Sequence, residues 1–272
     1  MAIVTCHMLA VLSRLKPEMT LPKTPSFRLE GRRAIVTGAG RGIGVALASA
    51  LAEAGAAVTL VARSRYEIDT IARAIEADGG QAEAVMLDIS DLEAVTGFFA
   101  NSAAFDILVN NAGTNRPMPM LNVCEPDYDT VLDLNLKSTF FVTQACVKQM
   151  IEAGIKGSLI HVSSQMGHVG GPDRSLYCAS KWAVEGMSKA FALDLASLGI
   201  RSNTIAPTFI ETPMTQPFFE NAEFKARVLA KIQLGRIGTP EDLMGAVIFL
   251  ASDASALVTG TSLVVDGGWT AE

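Results

Sequence analysis

The chain has 272 residues, 49% of them apolar and 18% charged, which is enough to bury one large α/β core. A net charge of −6 with dispersed Lys and Arg argues against nucleic acid or an anionic membrane as partner. No apolar run reaches the ~18 residues of a membrane span, and cysteines 6, 124, 146 and 178 lack metal or redox spacing, which fits reduced thiols in a cytoplasmic protein.

Residues 1–27 precede the first strand and read as a flexible N-terminal extension, without the basic n-region or cleavage site of a signal peptide. Residues 28–272 read as one dinucleotide-binding domain. Its opening stretch, Arg33 to Gly44 (RAIVTGAGRGIG), runs from a short apolar strand into a loop with glycines at 38, 40, 42 and 44. Ile43, Ala46, Leu47, Ala50 and Leu51 then recur at helical steps. Strand, glycine turn and helix together make a phosphate site: the turn lets backbone approach a pyrophosphate, and the helix N-terminus offers unpaired N–H groups and a partial positive charge.

Strands follow at Ala57–Val61, Ala82–Leu87, Phe105–Val109, Ser158–Val162, Ile200–Ile205 and Ser262–Val265. Helices are predicted at Tyr66–Asp78, Leu92–Asn101, Asp127–Glu152, Tyr177–Ser197 and Glu241–Ala251. This alternation with apolar strands predicts a doubly wound, Rossmann-type parallel β-sheet covered by helices on both faces. Residues 213–230, with Phe218, Phe219 and Phe224, read as a lid over the site.

The second strand ends in Ala62-Arg63-Ser64. An NAD-preferring unit places Asp or Glu there, about 20 residues past the glycines, for the ribose 2′-hydroxyl. Here Arg63, together with Arg41 in the loop, favours the 2′-phosphate of NADP(H), because planar guanidinium donors match phosphate oxygens. Two solvated arginines and an NAD(H) preference are the alternative. Asp88, before Ile89, is placed to accept from an adenine amino group, with a helix N-cap as the plainer role. Asn110-Asn111-Ala112-Gly113 leaves the fourth strand with small residues beside the expected ribose.

Ser164 follows the fifth strand, while Tyr177 and Lys181 lie one helical turn apart on one face. A free phenol, with a pKa of ~10, is a poor acid or base at neutrality. A neighbouring ammonium lowers that value, and a serine hydroxyl orients a carbonyl oxygen toward the phenol.

Together TGAGRGIG at 37–44, NNAG at 110–113, Ser164, YCASK at 177–181 and Asp266-Gly267-Gly268 resemble the single-domain branch of the short-chain dehydrogenase/reductase family, over about Leu29 to Trp269. The resemblance implies cofactor contacts at Gly38, Arg41, Gly42, Ile43, Gly44, Arg63, Asp88, Ile89, Asn111, Ala112, Gly113, Tyr177, Lys181, Ile210 and Thr212. It implies a catalytic set of Asn135, Ser164, Tyr177 and Lys181, with Asn135 loosening its helix and holding a water that leads to Lys181. Thr208 departs from the family's usual glycine. Gln165, Met166, His168 and Thr208 are expected to line the substrate pocket.

The implied activity is an NADP(H)-dependent oxidoreductase interconverting a small-molecule ketone and a secondary alcohol, with no metal. Family members assemble through helices matching 127–152 and 177–197, and through a C-terminal surface matching Leu263 and Val264, so a homodimer or homotetramer is expected. Three other readings stay open: an NAD-preferring polyol or sugar-acid dehydrogenase of the same family, a non-catalytic dinucleotide binder, and a serine hydrolase. The last is weakened by VSSQMG around Ser164, which is not a GxSxG elbow.

Overall fold

The computed structural model describes residues 21–271. The strands are β1 (Arg33–Thr37), β2 (Ala57–Ala62), β3 (Gln81–Met86), β4 (Ile107–Asn110), β5 (Ser158–Val162), β6 (Arg201–Pro207) and β7 (Ser262–Val265). They form a seven-stranded sheet in the order β3-β2-β1-β4-β5-β6-β7, with every neighbouring pair parallel. The main helices are α1 (Ile43–Glu53), α2 (Arg65–Ala77), α3 (Leu92–Asn101), α4 (Glu125–Leu132), α5 (Thr139–Glu152) and α6 (Ser175–Leu195). Later come α7 (Gln216–Phe219), α8 (Ala222–Leu229) and α9 (Met244–Ala251).

The pleat sends alternate residues to opposite faces of the sheet. Val36, Ile107, Val109 and Ile160 pack with Leu47 and Leu51 of α1, Ile68 of α2 and Val247 of α9. Ile35, Leu108 and Leu159 pack with Phe99 of α3 and with Val142, Cys146 and Met150 of α5. Both faces are therefore covered, which is why the central strands read as continuous apolar runs. A Cβ at Gly44 would run into the Gly38 carbonyl and come within 2.6 Å of Asn111 Nδ2, so only glycine lets α1 seat this close to the loop after β1.

The sequence-based helix over 127–152 is not one α-helix. Asp133–Ser138 is a π-helical turn between α4 and α5. The expected helix over 241–251 likewise begins as a 3₁₀ turn, Pro240–Leu243, closed by a Thr239–Asp242 capping box. Of the expected N-terminal extension, 1–20 lies outside the described residues, and 21–27 is exposed and holds no helix or strand. Among the described residues Cys124, Cys146 and Cys178 are free thiols, and no helix is long and apolar enough to cross a membrane.

Candidate active site

Parallel strands end on one edge of the sheet, and β1 and β4 lie side by side although the chain visits β2 and β3 between them. At that reversal the loops diverge and leave a crevice. A cavity of about 530 Å³ opens there, lined by the glycine loop, the ends of β2, β4 and β5, the start of α6 and the 207–218 segment.

At one end Gly42 caps α1 with φ 59°, a left-handed backbone that suits glycine, and no side chain caps the helix. The first turn of α1 carries no acidic residue, so its N–H groups and dipole face the cavity without competition from a side-chain anion. Arg41, Arg63, Asp88 and Ile89 line the same end. Asp88 accepts from the N–H and hydroxyl of Ser90 at 3.0 and 2.7 Å. Burial raises its pKa, but the Ser90 donors and the Arg63 charge outweigh that and hold it below the ordinary carboxylate value. Asp91, not Asp88, caps α3, by accepting from the Ala94 N–H at 3.0 Å.

The end of β4 is locked to the glycine loop. Asn111 Nδ2 donates to the Thr37 and Gly38 carbonyls, both at 3.0 Å, while Thr37 Oγ1 accepts from the N–H groups of Asn111 and Ala112. Gly113 lies between two members of the expected catalytic set, since a Cβ there would stand 3.2 Å from Asn135 Oδ1 and 3.8 Å from Lys181 Nζ. Asn135 sits in the π turn and is buried. Its Nδ2 donates to the Thr114 carbonyl (2.9 Å) and to Ser180 Oγ (3.0 Å), and its Oδ1 accepts from the Thr114 N–H (2.8 Å). The side chain thus ties the loop after β4 to α6.

Ser164, Tyr177 and Lys181 all line the cavity. Ser164 Oγ donates to Gln165 Oε1 at 2.8 Å and accepts from the Met166 N–H at 3.1 Å. Lys181 Nζ donates to the Val162 carbonyl at 2.8 Å and lies 5.6 Å from the centroid of the Tyr177 ring. Burial pushes the Lys181 ammonium down to about 8, partly opposed by Glu185. The Tyr177 phenol is moved up, not down: burial dominates, against the Ser164 hydroxyl and the Arg174 guanidinium.

Gln165, Met166 and Thr208 line the cavity, as do Ile210 and Thr212 beyond β6. Thr212 reaches back to the glycine loop, 3.4 Å from where a Gly42 Cβ would stand. His168 is not in the lining. Its Nε2 pairs with Ser262 Oγ at 2.9 Å and faces Glu185 Oε1 at 3.4 Å, so the buried acid on α6 turns the imidazole away from the cleft. Of the lid phenylalanines, Phe218 faces the cavity, whereas Phe219 and Phe224 pack on Phe209. The charged and amide side chains of the lining that sequence reasoning missed are Glu67, Asn115 and Arg174. Glu67 stands beside Gly40, and nothing in the sequence marks Asn115 or Arg174 as facing a cleft.

The elements of the cavity fit a nicotinamide dinucleotide: an uncapped helix N-terminus, a left-handed glycine beside it, and the two arginines Arg41 and Arg63 in the lining. Comparison with known proteins agrees. Residues 38–270 match the family model described as enoyl-(acyl carrier protein) reductase. The 3-oxoacyl-[acyl-carrier-protein] reductase FabG of Thermotoga maritima is 40% identical over 89% of this chain and 99% of its own. D-erythrulose reductase of Gallus gallus is 36% identical over 90% of this chain and 98% of its own. This chain is a short-chain dehydrogenase/reductase. The gluconate 5-dehydrogenase of Burkholderia cenocepacia, solved in complex with NADP and tartrate, matches this short-chain dehydrogenase/reductase with a TM-score of 0.86 at 38% identity, over 90% of this chain and 98% of that one. As a family member it is an NAD(P)-dependent oxidoreductase that interconverts a ketone and a secondary alcohol by hydride transfer.

Proposed function

We propose that the protein is an NADP(H)-dependent oxidoreductase of polyhydroxylated small molecules, with Tyr177 as its proton donor and acceptor. The observation that carries this reading is the convergence of Ser164, Tyr177 and Lys181 on one cavity whose other end holds Arg41, Arg63 and the open N-terminus of α1. Gly38, Gly42, Ile43 and Gly44 would cradle the pyrophosphate, and Arg63 with Arg41 would hold the 2′-phosphate. Asn111, Ala112 and Gly113 would back the ribose, and Ile210 with Thr212 would face the carboxamide. When bound, the cofactor supplies hydride to the carbonyl carbon. The Ser164 hydroxyl, already poised between one donor and one acceptor, is free to rotate and donate to the carbonyl oxygen. The phenol of Tyr177, kept protonated by burial, gives its proton to that oxygen. Lys181 stands where it can grip ribose hydroxyls and return a proton to Tyr177, with Asn135 fixing the loop between them.

The polar lining at Gln165, Thr208 and Asn115 supports a substrate with several hydroxyls, in line with the sugar substrates named for the erythrulose and gluconate enzymes. Thr208 Oγ1 and Asn115 Oδ1 are buried with no hydrogen-bond partner among the described residues, so a bound hydroxyl would satisfy each. A homo-oligomer formed through α5 and α6 and a cytoplasmic location complete the reading.

The test is NADPH oxidation with a panel of keto-sugars and keto-acids for the wild type and Tyr177→Phe. Loss of the phenolic proton should cost on the order of 10²–10⁴-fold in kcat, while NADPH affinity stays within a few fold. Undiminished turnover in Tyr177→Phe would refute the proton-transfer assignment. It would also distinguish this enzyme from a non-catalytic dinucleotide binder.

A further inference from the structure

The catalytic cleft contains a cation that the proton-transfer set does not use. Arg174 precedes α6 and is only 8% exposed, yet it lines the cavity. Its guanidinium carbon lies 5.6 Å from the centroid of the Phe218 ring on the lid. Its guanidinium donates one long hydrogen bond, Nη1 to the Asp173 carbonyl at 3.4 Å. Five donors on a buried guanidinium are poorly served by one such contact and a ring face.

The approach to Arg174 is built with some effort. Asp173, immediately before it, is the one non-glycine residue with positive φ among the described residues, at 59°. Its carbonyl is held by the Met118 N–H at 3.1 Å, from the loop after β4. A Cβ on Gly171 would meet Met166 Cε at 2.8 Å and the Arg174 Cγ at 3.5 Å, so the turn packs closely on Met166 and runs beside the arginine stem.

The charges around the cavity are unevenly divided. Its lining carboxylates, Glu67 and Asp88, stand beside the glycine loop and Arg63. Phe218 and Tyr177 of the lining stand beside Arg174, and the acid nearest in sequence, Asp173, is exposed and outside the lining. The other nearby arginine, Arg116, is already paired with Asp127 at 2.7 Å. A guanidinium this buried, which feels the exposed Asp173 but forms no ion pair among the described residues, is costly unless a bound anion completes it.

We propose that Arg174 is a specificity-determining residue that binds the carboxylate of the substrate, so that the enzyme acts on hydroxy- or keto-acids in preference to neutral ketones and polyols. This rests on the functional reading above and narrows its substrate class. Arg174 stands at the N-cap of α6, three residues before Tyr177, and both side chains line the one cavity. The carboxylate and the reacting carbonyl therefore belong to one small molecule. Thr208 and Asn115 would take hydroxyls between them, and Phe218 would cover the ion pair and shield it from water, which strengthens a bidentate contact.

The experiment compares kcat/KM with NADPH for matched pairs of keto-acids and their neutral counterparts, among them 5-keto-D-gluconate with L-sorbose. It also compares the affinity of D-gluconate with that of sorbitol for the wild-type enzyme saturated with NADP. Wild type should favour the acid of a productive pair at least tenfold, and Arg174→Gln should cut that ratio at least tenfold while NADPH affinity holds. Arg174→Lys, which keeps the charge but loses the fork, should fall between them. Equal rates for acid and neutral ketone in the wild type, or an acid preference unchanged in Arg174→Gln, would overturn the proposal and leave the oxidoreductase reading intact. If Arg174→Gln does not bind NADPH, the wild-type comparison decides. A tenfold preference for gluconate over sorbitol supports the proposal, and equal affinity refutes it. Failure of wild type to reduce any ketone while binding NADPH would instead count against the functional reading.

Discussion

Arg63 stands at the end of β2 where a dinucleotide site tells one cofactor from another, and it shares that corner with Asp88 and Glu67. Two guanidiniums, Arg63 and Arg41, face it, which balances the corner toward a bound phosphate. A single charge-assisted contact to a phosphate contributes about 1.5–3 kcal/mol, or roughly tenfold or more in affinity. Arg63→Ala should therefore lower the affinity ratio of NADPH over NADH by about tenfold, read by titrating each cofactor against protein fluorescence. A ratio that does not move would assign the 2′-phosphate to another residue. At this scale the sequence was informative where spacing carries the chemistry. Tyr177 and Lys181 one turn apart, and Ser164 just after a strand, were legible because a helix or strand end fixes their geometry locally. His168 and Arg174 were not. Both lie within a few residues of Tyr177 or Ser164, but one is drawn to Glu185 and the other lines the cleft, and each outcome depends on residues far along the chain.

Among the elements, the stretch from Glu125 to Glu152 shows what a periodic pattern hides. Its apolar residues recur at helical steps on both sides of the π turn, so nothing in the periodicity announces the extra residue. The turn is held from outside by Asn135, which is bound to Thr114 and Ser180, and from within by Ser138 Oγ, which donates to the Asp133 carbonyl at 2.8 Å. Strand β5 carries another consequence of packing. His161 lies wholly buried, with Asn110 Nδ2 on one ring nitrogen at 3.1 Å and Ser202 Oγ on the other at 3.2 Å. Burial, helped by the Lys181 charge, pushes its pKa down from 6.5 to about 4. Between those values the unfolded chain takes up a proton that the folded chain refuses. The stability contributed by this site is thus fully present above pH 6.5 and is lost as pH falls to 4, by roughly 3 kcal/mol. Urea midpoints measured from pH 7 to 4 should fall over that window, and His161→Asn should show a shallower fall from a lower starting stability. An unaltered slope in the variant would place the acid sensitivity elsewhere.

For the whole molecule, the strand order decides where chemistry happens. Crossing from β3 back over β1 to β4 opens the crevice, and the residues that line it come from strand ends, loops and helix starts on that edge, with Asn135 supporting them from the π turn. The outer surfaces of α5 and α6 leave Phe140, Phe141, Trp182 and Leu193 exposed, a concentration of large apolar side chains that a partner copy would cover. Replacing Phe140 and Trp182 with Glu should shift the protein to a smaller species in sedimentation velocity, and an unchanged assembly would exclude this face as the subunit contact.

The alternation of strands and helices, the phosphate-binding turn and the Ser–Tyr–Lys spacing were determined by the sequence alone, because each depends on periodicity or on neighbours within a turn or two. Only the tertiary structure decided that Asn135 lies in a π turn, that His168 faces away from the cleft and that Arg174 stands inside it. Those outcomes follow from burial and from partners dozens of residues distant, and such long-range contacts leave no periodic mark on the chain.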